Sequence, residues 1–233
     1  MARRRVNTTK YEIIQVATKM ILEEGYSATT PKAICDKLDI STGNLTYYFP
    51  TKEHMLAVLV KMLCDFQWKT VQDVVNEGNT SLLGVCLEFM AIASACEESE
   101  VAKDFFHSSY TSPMCLQIIR KNDTRRAKQV FGEYCVGWSD EQFAEAEILI
   151  SGIEYATLMS ADEPVPLETR ISVALDNIMK LFNVPEQVRK DKITKVLSLD
   201  YRKFGLSVLE QFKQFVEQTN EHVLEELLTK VSD

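Results

Sequence analysis

Thr42, Gly43, Asn44, Thr46 and Tyr47 fall within six consecutive positions and include no acid and no lysine. Their groups suit the edges of stacked bases. An asparagine amide pairs with adenine, threonine methyls meet thymine methyls, and a glycine lets the backbone come close. Phosphate contacts are the second chemistry such a surface needs, since they supply most of the affinity while base contacts supply the choice of sequence. Lys52, Tyr48 and the Thr29/Thr30 pair are the candidates for it, partly through the unpaired N–H groups at helix starts. Arg3, Arg4 and Arg5 form a basic cluster suited to a DNA backbone or minor groove, or equally to a solvated terminus. For Tyr47 and Tyr48 the competing role is hydrophobic packing, and part of Tyr48 is expected to pack.

Three short helices are needed to hold these groups. Thr9-Lys10-Tyr11-Glu12 has the form of a capping box, with Ile14, Ala17 and Ile21 following at helical spacing, so a first helix is expected over about residues 9–24 before Gly25 stops it. Thr30-Pro31 starts a second, barely two turns long, with Ile34 and Leu38 on one face. Ser41 caps a third, which turns Leu45, Tyr48 and Phe49 inward until Pro50 stops it. Two short helices joined by Asp39-Ile40-Ser41, with Ile40 plugging the gap, is the form of a helix-turn-helix; an arbitrary helical hairpin is the alternative.

The run Gly25-Tyr26, Thr29-Thr30, Ile34, Leu38 to Lys52, Glu53 and Leu56 resembles the DNA-binding domain of the TetR family of bacterial transcriptional regulators. The resemblance covers about the first quarter of the chain. It implies an all-α fold with a helix-turn-helix DNA-binding domain, taken as residues 1–52, and a larger helical domain for effector binding and dimerisation, residues 53–233. Two positions depart from the family pattern: Asp39 stands where a small turn residue is usual, and Thr46 replaces a usual tyrosine, with Tyr47 adjacent.

Composition agrees with an all-helical chain. Of 233 residues, 45% are hydrophobic and 26% charged, with only eight Gly and six Pro, which leaves little scope for disorder or tight-turned β structure. The net charge of −8 conceals an asymmetry: residues 1–52 carry eight Lys/Arg against five acids, and the acid excess belongs to the rest. No apolar run approaches the roughly 20 residues of a membrane span, so a cytoplasmic protein with no membrane partner is expected. The six cysteines lack any Cys-x-x-Cys pair and are expected to be reduced and buried.

Beyond residue 51 the pattern predicts helices over about 51–75, 81–96, pieces across 99–121 broken by Pro113, then 123–136, 140–160, 167–182, and two more in the tail from 185 to 231. Reading a few base pairs with one small head is weak, so a homodimer on a roughly palindromic double-stranded DNA site is expected. Its seam is assigned to Leu149, Gly152, Ile153 and Ala156 on one helix and Ile171, Ala174, Leu175 and Ile178 on the next; completing a monomeric core is the alternative.

The resemblance also implies a small-molecule effector, of unidentified chemistry, inside the body. Trp68, Cys86, Phe89, Phe105, His107, Tyr110, Tyr134, Glu154 and Tyr155 are the nominated liners, with ordinary core packing the competing role of each. Glu154 stands out as a polar residue in an apolar run, and its carboxylate, if buried, favours a cationic ligand. The coupling is expected to run along the helix that begins at Thr51. A protein of the same fold controlled by protein partners is the alternative regulator.

Enzymatic readings lack their parts. The chain has no Gly-x-Gly-x-x-Gly, Walker or Gly-x-Ser-x-Gly motif. His222-x-x-Glu225 lacks the second histidine of a zinc site, and nothing brings His107 and Cys115 together as a dyad. No enzyme, cofactor or metal is expected.

Overall fold

A computed structural model describes residues 10–70, 81–161 and 163–229. Among them every regular element is a helix. Helix α1 (Lys10–Glu24) buries Ile13, Ile14, Ala17 and Ile21 at the predicted spacing, and Gly25, at φ 96°, ends it in the left-handed region that glycine enters without strain. The capping Thr9 lies outside the described residues. Helix α2 (Pro31–Leu38) starts as expected: the Thr30 side chain accepts from the Ala33 N–H and proline occupies the first turn. Asp39 follows in the left-handed conformation at φ 51°, while the N–H groups of Asp39 and Ile40 donate back to the Cys35 carbonyl. An aspartate tolerates this conformation better than most residues, so the departure at position 39 keeps the turn.

Helix α3 (Thr42–Tyr48) is capped by Ser41, whose hydroxyl accepts from the Asn44 N–H at 3.2 Å. Leu45 and Phe49 enter the same core as Ile34, and Ile40 packs at its margin. These three helices lean on α4 (Lys52–Thr70), which is buried on all sides from Met55 to Val60 because head and body both cover it. The predicted extension of this helix to Val75 and the break at 77–79 lie outside the described residues.

Helix α5 (Leu82–Glu98), capped by Ser81, is buried around nearly its whole circumference and forms the axis of the body. Around it run α6 (Glu100–Thr111), α7 (Pro113–Phe131), α8 (Asp140–Met159) and α9 (Leu167–Leu181). Pro113 separates two helical pieces, as the pattern predicts, by starting the second of them. It occupies the first turn of α7 behind the Ser112 cap, where its missing N–H has no partner to lose, and α7 continues through the predicted gap at 121–123 to Phe131. Residues predicted as helix from 132 to 136 form turns instead.

The tail is three helices, not two: α10 (Glu186–Leu197), α11 (Tyr201–Gln218) and α12 (Glu221–Thr229). Asp200 caps α11, and the Asn220 side chain accepts from Val223 N–H at the start of α12. Helix α11 lies along α5 so closely that a Cβ at Gly205 would stand 2.6 Å from the Ala91 carbonyl oxygen. It also touches the head, where the Tyr11 hydroxyl on α1 donates to the Thr219 carbonyl at 3.0 Å. All six cysteines are buried and unbridged, as their spacing suggests.

Candidate nucleic-acid interface and central cavity

The cap at Ser41 and the apolar anchors Leu45 and Phe49 fix which side of α3 faces out. Thr42, Gly43, Thr46 and Tyr47 are exposed together, Tyr47 to 81%, and Tyr48 is half-buried edge-on to it with ring centroids 5.0 Å apart. Thr46 returns its hydroxyl to the Thr42 carbonyl at 3.0 Å, which leaves the methyl as the group it offers outward. Asn44 is half-buried at the edge of this face, and its Oδ1 has no hydrogen-bond partner among the described residues. A Cβ at Gly43 would meet nothing closer than the Ser41 hydroxyl at 3.8 Å, so nothing in the fold requires a glycine there. Two flanking positions differ from expectation. Thr29 is fully buried and donates its hydroxyl to the Gly25 carbonyl, so it locks the α1–α2 loop and its side chain cannot reach a phosphate. Lys52 sits 3.9 Å from the centre of the Tyr26 ring and donates to the Tyr26 and Thr29 carbonyls at 2.7 and 2.9 Å, a partly buried setting that lowers its pKa. Thr30 is exposed and is engaged as the α2 cap. Arg3, Arg4 and Arg5 lie outside the described residues.

The head is tied to the body by side chains that the sequence did not single out. Asp104 on α6 accepts from the Ser27 N–H at 2.8 Å and from the Ser27 hydroxyl at 2.5 Å. At the α6–α7 junction, Ser112 donates to Glu53 on α4. Helix α6 therefore touches the head at Asp104, and at Tyr110 it reaches the interior, donating to Glu154 Oε2 at 2.8 Å.

Tyr110 and Glu154 border a partly open cavity of about 90 Å³ lined by residues from α4 to α9. Water needs roughly 10–15 Å³ on this measure, so the space fits several waters or a small ligand. Phe89, Phe131 and Phe182 supply apolar wall, while Glu88, Asp123, Arg126, Glu147 and Glu154 bring charge. Arg126 and Glu88 close on each other in a bidentate pair, at 3.0 and 2.5 Å. Burial pushes the other three acids up, to about 6 for Asp123, 8 for Glu154 and 10 for Glu147; the Asp123 charge adds to the rise of Glu147 and Glu154, and the Arg126 charge opposes all three.

Of the nominated liners, Phe89, Tyr110 and Glu154 border this cavity, and Phe105 borders a second, mostly apolar crevice of about 50 Å³ beneath α11. Cys86 does not: it is core, with its sulfur 4.0 Å from that of Met179. His107 is exposed, Tyr155 backs Tyr110 with ring centroids 6.2 Å apart, and Tyr134 sits in the turn after α7, so none of these lines the space. The Trp68 side chain lies outside the described residues. Glu88, Asp123, Arg126 and Glu147 were missed, although Glu88 and Glu147 carry the signal that marked Glu154, an acid inside an apolar run.

The assigned seam splits in two. Leu149, Gly152 and Ala156 are exposed on α8, with Ile153 half-buried beside them and Ile148 adjoining. Ile171, Ala174, Leu175 and Ile178 instead fill the chain's own core, because that stripe of α9 faces inward; Val173, 58% exposed, is an apolar group that α9 turns outward.

Residues 13–59 match a family model described as "Bacterial regulatory proteins, tetR family". A stretch of 92 residues, 40% of the chain, is 32% identical to the HTH-type transcriptional repressor KstR2 of Mycobacterium tuberculosis, over 46% of that protein. The protein of the same name from Mycolicibacterium smegmatis is 29% identical over 86 residues, 37% of this chain and 42% of its own length. The chain thus spans about half the length of these curated relatives or less. The crystal structure of TylP, a TetR regulator from Streptomyces fradiae, superposes with a TM-score of 0.52 at 16% identity, covering 88% of this chain and 90% of that one, which is a likeness of fold.

Proposed function

We propose that this chain, whose residues 13–59 match the model of the tetR family of bacterial regulatory proteins, is a cytoplasmic transcriptional repressor of that family that binds a palindromic operator as a homodimer and is released by a small molecule. The observation that carries the reading is the outward face of α3, where Thr42, Thr46 and Tyr47 surround a glycine that the fold itself does not need. Base edges and a close phosphate backbone are the partners those groups suit. The exposed apolar face of Ile148, Leu149, Gly152 and Ala156 on α8 with Val173 on α9 favours the homodimer, since a second copy would cover it by its own equivalent.

Control by a small molecule is favoured over control by a protein partner because the body contains a polar cavity linked to the head. A ligand that takes the place of the Tyr110–Glu154 hydrogen bond shifts α6, and α6 holds the head through Asp104 and Ser27. Helix α4, the expected route, is joined at the same level through Glu53 and Ser112. The ligand releases DNA only to the extent that it prefers the dimer whose heads are wrongly spaced. Fluorescence anisotropy with DNA from the chain's own promoter region tests the reading. Affinity that falls steeply as salt displaces phosphate contacts is expected; a flat salt dependence, or Tyr47→Ala binding as tightly as the parent, would overturn it.

A further inference from the structure

We propose that the central cavity selects a small organic ammonium compound, so that the effector is a cation with a compact apolar body. This takes the cavity to be the effector site. Glu147 carries the argument. It is 4% exposed, it borders the cavity from α8, and no hydrogen bond or ion pair of the described residues meets its carboxyl. A carboxyl buried without a partner costs stability unless something is brought to it.

The surroundings decide what that something is. Asp123 on α7 and Glu154 on α8 border the same space, the one held by the Asn122 amide and the other by the Tyr110 hydroxyl, and neither has a cation beside it within hydrogen-bonding distance. The one basic group in the cavity wall, Arg126, is already matched by both oxygens of Glu88 on α5. Arg120, which also acts on Glu147, is turned to the Ser151 hydroxyl at 2.9 Å. Gln67 is the polar group α4 contributes, and the part of α9 at the cavity is apolar. An anion would therefore meet the Asp123 carboxylate and an occupied guanidinium, whereas an ammonium brings donors to Asp123 and to the two glutamates once they give up their protons. No group of three His, Cys, Asp or Glu among the described residues is arranged to hold a metal ion, which leaves an organic cation. Phe89, Phe131 and Phe182 accept its apolar part, and aromatic faces favour a neighbouring cation.

Binding is coupled to protons. Near neutral pH, with no cation bound, Glu147 and Glu154 hold theirs, because burial raises both, Glu147 above all. A bound ammonium favours their ionised forms, so a proton leaves to solvent as the cation enters, and affinity rises with pH by up to tenfold per unit for each proton released.

The test compares benzylammonium, benzyl alcohol and benzoate, three probes of matched shape, by titration calorimetry on the full chain at pH 6 and pH 8. Benzylammonium is expected to bind at least tenfold tighter than either partner probe, to tighten by between tenfold and about a hundredfold between the two pH values, and to release a proton detectable in buffers of different ionisation enthalpy. Glu147→Gln and Glu154→Gln, each checked for cooperative thermal unfolding, are expected to lose at least fivefold in affinity and to flatten the pH dependence. Equal or tighter binding of the alcohol or the carboxylate, or no binding of the ammonium at millimolar concentration, would overturn the inference. Promoter-DNA release is read in parallel: an ammonium that binds without releasing DNA refutes the effector role of the cavity and leaves its selectivity standing, while release by benzyl alcohol alone does the reverse.

Discussion

Replacing Glu147 by glutamine keeps the shape of the side chain and removes its ionisation, and the structure sets the size and sign of the result. In the unfolded chain this carboxyl loses its proton near pH 4.5, whereas in the folded chain burial keeps the proton on to about pH 10. The folded state thus binds more protons across that window, and the contribution of Glu147 lowers stability as pH rises through it. From 4.5 to pH 7 is two and a half units, or about 3 kcal/mol at roughly 1.4 kcal/mol per unit. Because Glu147 is 4% exposed, little of this is screened by solvent. The Glu147→Gln variant is therefore expected to match the parent near pH 4.5 and to gain about 3 kcal/mol by pH 7, which for a chain of this length is a rise in Tm of roughly 6–12 °C. Thermal unfolding from pH 5 to pH 8, at one fixed protein concentration, is the assay. A variant whose advantage does not grow with pH, or that is less stable than the parent at pH 8, would refute the reasoning.

Gly43→Ala is expected to raise stability by up to about 1 kcal/mol, since alanine favours the helix and the fold leaves open space there, while weakening promoter-DNA binding at least tenfold. Chemical denaturation and anisotropy measure the two effects, and a loss of both together would show that the glycine serves the fold. Gly205→Ala forces a Cβ against the Ala91 carbonyl and is expected to cost about 1–3 kcal/mol in urea unfolding, because neither α5 nor α11 can give way locally. Asp104→Ala removes the two hydrogen bonds to Ser27 and is expected to speed amide exchange over residues 25–29 and to reduce effector-induced DNA release, while leaving ligand binding within about twofold.

The head was legible because its information is local. Caps at Thr30 and Ser41, the proline at 31 and the stop at Gly25 each specify a boundary within a few residues, and the structure places each where it was read. Pro113 separates two helical pieces as read, but the length of the second is less local: behind the Ser112 cap it runs on unbroken to Phe131. The direction of an apolar stripe is not local either. The α9 stripe of Ile171 to Ile178 could be seen, but whether it faces its own core or a partner depends on where α5 and α8 stand. The carboxyl cluster is the clearest case: Glu88, Asp123, Glu147 and Glu154 come from three helices, and only packing brings them to one cavity. Asp104 was invisible for the same reason, being an ordinary surface aspartate until the loop at Ser27 is folded against it.

Selection of bound sequences from random double-stranded DNA by the full chain tests the central claim, that two copies each present the Thr42 to Tyr47 surface to a major groove. The predicted result is an inverted repeat whose half-sites lie about one helical turn, roughly 34 Å, or a multiple of it apart, and whose enrichment is lost with Tyr47→Ala. An asymmetric single site, no enriched sequence, or the same repeat recovered by Tyr47→Ala would contradict it.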